Sequence, residues 1–314
     1  MYLDLHCDTI WKFIDHEQHR DLKNNPFSVN LEKMKQGECM LQCFACFVAS
    51  ARVEDPFGYY QVMRKLMKAE EEKYKDCFRL VTTAKEAEER QAQGLFSGLL
   101  TVEDGGILEG KMERLDQLYD DGIRLITLLW NDDNCIGHTH SADPEHMAMG
   151  LKPFGFEVVE QMNEKKMIID VSHMSDGGFW DVIKHSKSPI LASHSNARAV
   201  CGHTRNMTDD MIRALANKGG IMGINFFDRF LREKNEDLLE AMVVHMEYIR
   251  NIGGIDMLAI GTDFDGFSGP CPISGCDEME LLWNQMRKHG FHESEIEKIQ
   301  YKNGLRFMKD VLGE

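Results

Sequence analysis

Apolar residues fall along the chain in short runs at 2–8, 40–49, 96–103, 123–130, 167–173, 188–194, 220–227 and 257–263. Runs of this length with β-branched and aromatic content read as strands. The intervening segments 57–75, 111–121, 154–166, 176–185, 208–218 and 236–251, and then 277–289 and 293–312, repeat apolar positions at helical spacing. Several helices carry start and stop signals: Thr208 precedes Asp209 and Asp210 as an N-cap, and Lys218 is followed by Gly219 and Gly220. Strands alternating with helices predict a parallel sheet, and a count of eight favours a closed (β/α)8 barrel of the TIM type over an open doubly wound sheet. The first strand is not followed by Gly-x-Gly-x-x-Gly, which argues against a dinucleotide fold. No linker composition and no repeat divides 1–314, so one α/β domain is expected. The long polar connections at 9–39 and 131–153 would then be loops on the C-terminal face of the barrel, where such folds build their sites.

Composition narrows the partners. The length of 314 residues would allow two average domains, but one barrel of ~250 residues with elaborated loops also accounts for it. Hydrophobic residues make up 43% and prolines number 7, which excludes disordered and collagen-like classes. With 36 Lys and Arg against 52 Asp and Glu, the formal charge is −16. Neither nucleic acid nor an anionic membrane suits that balance, and a small-molecule substrate does. The N-terminus has no signal-peptide pattern, and the longest nearly apolar stretch, 40–49, is about half of the roughly 20 residues of a membrane helix. Nine scattered cysteines, an odd number, fit a reducing cytoplasm. Cys43 and Cys46 are expected to be buried structural thiols, and the 20 methionines to fill core gaps.

The chemistry is concentrated at strand ends. The first strand closes on His6, Cys7 and Asp8, and alternation puts His6 and Asp8 on one face with Cys7 on the other. The third ends in Glu103 and Asp104, the fifth in His173, the sixth in His194, and the eighth in Asp263, Phe264 and Asp265. One histidine at a strand end is usually a hydrogen-bonded residue and one aspartate usually a helix cap. Five of eight strands ending on His, Asp or Glu at one barrel mouth point instead to a metal site. Imidazoles and carboxylates without thiolate suit Zn²⁺, Mn²⁺ or Fe²⁺ in a hydrolytic site, and this many anionic ligands can hold two ions about 3.5–4 Å apart. A pair needs a ligand with an oxygen for each ion, and Glu103 is the candidate. An outer carboxylate would then move the proton of the attacking water. Arg198 and Arg205, in the loop after the sixth strand, are candidates to clamp a substrate carboxylate, with a surface ion pair as the plainer explanation.

These motifs together resemble the membrane (renal) dipeptidase family of metallopeptidases, within the amidohydrolase-like barrels, and in particular its soluble bacterial members. The resemblance runs end to end, through 4–9, 102–105, 131–134, 169–173, 192–198, 205–207 and 261–266. It implies a dipeptidase with two Zn²⁺, His6 and Asp8 binding one, His173 and His194 the other, and Glu103 bridging. Asp263 would assist proton transfer and Arg205 would hold the C-terminal carboxylate of a dipeptide, a D-residue being tolerated at that end. Homodimers are common in the family. Two positions depart from its pattern. Trp130 stands where mammalian members have a substrate-binding histidine, leaving Asn131, a histidine of the 137–140 loop, or the metal to stabilise the oxyanion. Asp104 replaces the glycine that commonly follows the bridging glutamate. No lipid-anchor pattern follows Leu312, in keeping with a cytoplasmic enzyme.

Two other functions stay open: an amidohydrolase-type barrel acting on cyclic amides, lactones or another non-peptide bond, and a non-catalytic metal-stabilised binding protein. His138, His140 and His146 fall in a polar loop and are expected to be solvated or to touch substrate rather than to bind metal. His16 and His19 are expected to face solvent, as is the acidic stretch 70–72.

Overall fold

A computed structural model describes residues 1–232 and 237–313. Its strands are β1 (Tyr2–Cys7), β2 (Cys39–Phe47), β3 (Phe78–Val81), β4 (Phe96–Glu103), β5 (Leu125–Thr127), β6 (Ile168–Asp170), β7 (Leu191–Ala192), β8 (Ile221–Ile224) and β9 (Leu258–Ile260). All pair in parallel, in the order β2-β1-β9-β8-β7-β6-β5-β4-β3, and β2 also pairs β4. That last pairing closes β1, β2 and β4 to β9 into the expected eight-stranded barrel with helices in the connections. β3 is a ninth strand. One edge of β4 is taken by β2 from Ser97 to Glu103, so β3 shares the other edge with β5, pairing Phe96–Leu99 while β5 pairs Thr101–Glu103.

Sequence reasoning did not find β3 or the helix Ala84–Gln91 that follows it. The strand is only four residues with Arg79 inside it. The helix buries only Ala84 and Ala87 and so has no apolar stripe, although Thr83 and Glu86 form a capping box that marks its start. The helices that were expected fall within a few residues of their predicted bounds, from Pro56–Lys73 to a C-terminal run Glu293–Leu312 interrupted by a π-turn at Lys298–Lys302, while the short helices Pro144–Met147 and Asp228–Leu231 were not expected. Of the helix expected at 236–251, Leu238–Gly253 is seen, and Glu236 lies outside the described residues, as does Glu314. The connection 9–39 is not all loop: Thr9–Asp15 and Leu31–Gln36 are helical. Among the described residues no helix is long and apolar enough to cross a membrane.

Most strands stop short of the apolar runs that announced them. β6 ends at Asp170 rather than 173, β7 at Ala192 rather than 194, and β9 at Ile260 rather than 263. The chain leaves the ladder to aim side chains across the mouth. His173 (φ 69°) and Asp263 (φ 62°) sit in left-handed backbone, as does Asp104 (φ 77°) after β4. A non-glycine residue held there costs on the order of 1–3 kcal/mol, strain of the kind that functional sites store.

Two apolar clusters support that rim. One takes a residue from every barrel strand, including Leu3, Leu41, Leu99, Leu125, Ile168, Leu191, Ile221 and Ala259, together with Leu305, Phe307 and Met308 of the last helix. The other joins alternate strand residues such as Ile126, Ile169, Met222 and Ile260 to the surrounding helices. Cys43 lies in the first cluster and Cys46 in the second, both fully buried, as expected of structural thiols.

Candidate active site

The strand ends bring His6, Asp8, Glu103, His173, His194 and Asp263 together. His6, Asp8, Glu103 and His194 are almost fully buried, His173 is 8% exposed and the Asp263 side chain 14%. Alternation at the end of β1 holds: His6 and Asp8 turn to the cluster, while Cys7 joins the outer apolar layer. The β1–β2 pairing slips between Asp4 and Cys7, the stretch that presents His6.

Glu103 is central. Its Oε2 lies 3.4 Å from His6 Nε2, which is also 3.4 Å from Asp8 Oδ2. Its Oε1 lies 3.1 Å from His173 Nε2 and 3.6 Å from His194 Nε2. One carboxylate thus offers an oxygen to each of two donor pairs. Asp263 Oδ1 is 4.0 Å from His6 Nε2, near enough for Asp263 to be a ligand itself.

The hydrogen bonds around the cluster fix which nitrogens carry protons. Asp170 is fully buried and accepts from Thr127 Oγ1 at 2.6 Å, from the amides of Ser172 and Ser193 at 3.0 and 2.9 Å, and from Ser193 Oγ at 2.5 Å. Having given its proton to Asp170, the Ser193 hydroxyl can only accept from His194 Nδ1, 2.7 Å away. Asn131 Oδ1 likewise accepts from His173 Nδ1 at 2.9 Å. Both imidazoles therefore carry hydrogen on Nδ1 and a lone pair on Nε2, and these two Nε2 atoms face each other at 2.9 Å. Two lone pairs at that distance repel unless a cation lies between them and the carboxylate. Across Glu103, both ring nitrogens of His6 and Asp8 Oδ1 are buried without hydrogen-bond partners. These donors fit a divalent ion on each side of Glu103.

Electrostatics agree. Burial pushes Glu103 up to about 8, with His6 opposing, and pushes Asp263 up to about 7. Burial acts against a proton on His6, but Glu103 and Asp8 carry it well above its ordinary value. Burial and the nearby Arg205 hold His173 well below, and burial with His6 does the same for His194. Burial is the main force that draws protons to these carboxylates, with the charge of Asp8 adding to it.

The two loop arginines separate. Arg198 makes a two-pronged ion pair with Asp176, both contacts 2.7 Å, the structural role that was the plainer expectation. Arg205 is 5% exposed, its Nε has no partner, and its Nη2 reaches only the carbonyl of His194 at 3.3 Å. Burial lowers its pKa to about 10, with Asp263 and Glu103 opposing. Its guanidinium lies 5.3 Å from the ring of Phe230, which lines a cavity of about 440 Å³ over the cluster. Trp130 and Asn131 line the same cavity, with Asn131 also steadying His173. Asp104 and Asp265 shape loops instead: Asp104 accepts from Ser50, Gly106 and Asn134, and Asp265 from Thr9 and Ser28.

Four contributors were missed. Asn225 donates to Asp263 Oδ2 at 3.0 Å, and it stands just past β8, where the strand-end rule would have found it. A Cβ on Gly266 would meet Asp8 Oδ2 at 2.2 Å and Asp263 Oδ1 at 2.5 Å, so only glycine lets both carboxylates approach. Asp170 and Ser193 act beneath His194, and no spacing in the chain announces that relay. The 131–153 loop also differs from expectation. His138 and His146 clasp Asp133 rather than pointing freely to solvent, and His140 bonds Thr204 Oγ1 at 2.8 Å.

Comparison with known proteins gives a consistent result. The profile of the family described as membrane dipeptidase (peptidase family M19) matches residues 1–312. An uncharacterized protein of Klebsiella pneumoniae, named for its place in the pqqA 5′ region, is 34% identical over 241 residues, covering 74% of this chain and 89% of its own. An uncharacterized dipeptidase of Schizosaccharomyces pombe is 28% identical over 300 residues, 89% of this chain and 71% of that one. Among solved structures, a metallopeptidase from Rhodobacter sphaeroides, liganded with a phosphinate mimic of the dipeptide L-Ala-D-Ala, superposes with a TM-score of 0.91 at 25% identity, covering 99% of each chain. The metallopeptidase called dipeptidase AC, of family M19, gives 0.92 at 25% identity over 100% and 99%.

Proposed function

The chain belongs to the membrane dipeptidase family, and from that premise we propose that it hydrolyses dipeptides, including those with a C-terminal D-residue, using two Zn²⁺ held on either side of Glu103. Family membership makes it a metallo-dipeptidase; the number of ions, their identity and the duties of single residues belong to the proposal. The observation that carries it is the division of Glu103, one oxygen toward His6 and Asp8 and the other toward His173 and His194. The L-Ala-D-Ala mimic bound by the Rhodobacter sphaeroides relative supports tolerance of the D-residue. A cytoplasmic location is supported by nine free thiols, and a homodimer by the family resemblance.

When bound, the two ions supply Lewis-acid polarisation of the scissile carbonyl and a water acidic enough to ionise near neutral pH. Asp263, held by Asn225 and facing His6, takes the proton of the attacking water and returns it to the leaving amine. Arg205, buried with no acidic partner among the described residues, is charged and waits for one carboxylate, which a dipeptide supplies and a cyclic amide lacks. Asn131 has its oxygen committed to His173 and keeps its amide nitrogen for a substrate oxygen. Trp130 forms cavity wall in place of a polar group.

The test is a substitution at Asp263 on zinc-replete protein. Asp263→Asn is expected to keep two equivalents of metal and lower kcat by ~10²–10⁴-fold, whereas loss of an ion in this variant would make Asp263 a ligand. Full activity would remove it from the mechanism. Arg205→Ala is expected to act chiefly on KM for dipeptides.

A further inference from the structure

Above its polar floor, the cavity is walled by six aromatic rings. Trp11, Phe47 and Trp130 form one wall, with ring centres 6.0 Å apart between Trp11 and Phe47 and 4.7 Å between Phe47 and Trp130. Phe227, Phe230 and Phe267 form another, with Phe227 stacked on Phe267 at 5.3 Å and 4.9 Å from Phe230. These rings lie at or just after the ends of β1, β2, β5, β8 and β9, so the walls are assembled from five separate segments of the chain. All six stay partly exposed. Apolar surface gathered at one concave place is unfavourable in water and becomes favourable when a ligand covers it.

The charged groups of the cavity are distributed unevenly. Its carboxylates are Asp8, Glu103 and Asp263, all of them spoken for by the reaction proposed above. The other charged lining residue is Arg229, exposed at the rim and without an acidic partner among the described residues. A lysine or arginine side chain of a substrate would find no free carboxylate here, would meet Arg229, and would lose hydration against aromatic faces. A large apolar side chain would displace water from those faces at no polar cost.

We infer that the preferred substrates are dipeptides with bulky apolar side chains, at least one of them aromatic, and that the two aromatic walls set this preference. The inference rests on the dipeptidase reading and specifies its substrate class. Each added methylene in such a pocket is worth roughly a 10-fold factor or less, so replacing small side chains by large ones on both residues should raise kcat/KM by about 10- to 100-fold.

The experiment measures kcat/KM for Ala-Ala, Leu-Phe, Phe-Leu, Lys-Ala and Ala-Lys on zinc-replete enzyme, wild type and with Phe47→Ala or Phe267→Ala. The expected result ranks the Leu/Phe pairs first and the lysine dipeptides last, and each substitution narrows the ratio of Leu-Phe to Ala-Ala several-fold at unchanged metal content. A variant that lowered both substrates in proportion would show a merely structural ring and overturn the assignment of the walls. Preference of the wild type for Ala-Ala or a lysine dipeptide would overturn the inference while leaving the dipeptidase reading intact. Failure to cleave any of the five would strike at that reading itself.

Discussion

Two groups of histidine and carboxylate stand close together on this barrel, and they are built on opposite principles. At the mouth, His173 and His194 face each other nitrogen to nitrogen, and His6 turns two unpartnered nitrogens into a buried space beside three carboxylates. In the loop after β5, Asp133 takes His138 Nδ1 at 2.7 Å on one oxygen, and His146 Nε2 at 3.0 Å and the amide of Thr139 at 2.9 Å on the other. The residue types match and the spacings are similar, and both sets have the composition of a metal site. The difference lies in what faces what. Every contact of the loop clasp joins a nitrogen to an oxygen and is complete as a hydrogen bond; the mouth cluster leaves buried lone pairs that no hydrogen meets and that a divalent ion would satisfy. Proximity of ligand-type atoms is therefore weaker evidence for metal than buried lone pairs that no hydrogen meets.

Substitution of Glu103 presses this contrast hardest. Glu103→Gln leaves one oxygen and puts an amide N–H, which cannot bind a cation, where the second oxygen stood, so at least one ion should be lost and turnover should fall by roughly 10³-fold or more. Metal analysis of the purified variant beside a dipeptide assay checks it. Retention of two ions with normal turnover would put the contrast in the wrong place.

His245 supplies a reference, a buried histidine satisfied on both sides without any ion. Its Nδ1 accepts from the amide of Ala197 at 3.1 Å and its Nε2 donates to the carbonyl of Leu231 at 3.0 Å. Burial lowers its pKa to about 4 from an ordinary 6.5. The unfolded chain thus binds the proton first as pH falls, and this contribution to stability is full above 6.5 and is lost on going down to 4. At 1.36 kcal/mol per pH unit the loss amounts to about 3 kcal/mol. Urea unfolding at pH 7 and 4.5 should show that slope in the wild type and a shallower one in His245→Gln. Parallel slopes would mean that Ala197 and Leu231 do not hold the neutral ring.

How much of this was legible in the sequence follows the same division. The eight barrel strands were readable because each is an apolar run buried on both faces, and β3 was not because four residues with a central arginine make no such run. The cluster at the mouth was readable because the alternation of a strand and its C-terminal end say where His6, Asp8 and Glu103 point. Partners set by the closing of the barrel were not. Asp170 meets Ser193 and Thr127 only because β5, β6 and β7 lie side by side, and Arg198 and Arg205 are told apart only by whether Asp176 reaches them. The difference between the two histidine clusters was closed to the sequence for this reason: it depends on which atom faces which, across turns of chain that no periodicity describes.

Ser193 sharpens the contrast from the supporting side. Ser193→Ala removes the acceptor of His194 Nδ1–H without touching the cluster itself, and if His194 binds metal as proposed, loss of such an outer partner should weaken affinity about 10- to 100-fold. Competition against a chelator of known affinity measures it. Unchanged affinity would show that His194 is oriented by packing alone.

The smallest effect is expected in the loop clasp. Asp133, His138 and His146 have side-chain exposures of 33%, 14% and 30%, so their charges are partly screened by water and the ion pairs contribute at most about 1 kcal/mol. Asp133→Asn keeps an acceptor oxygen for one or two of its three donors and should lower stability by no more than that, with metal content unchanged at the wild-type number. The loop also carries Trp130 and Asn131, so a modest rise in KM is expected as that cavity wall loosens. Metal stoichiometry decides the matter. Wild-type protein holding a third ion that Asp133→Asn releases would mean that complete hydrogen bonds do not protect a histidine clasp from being a metal site, and the rule drawn from comparing the two clusters would fall with it.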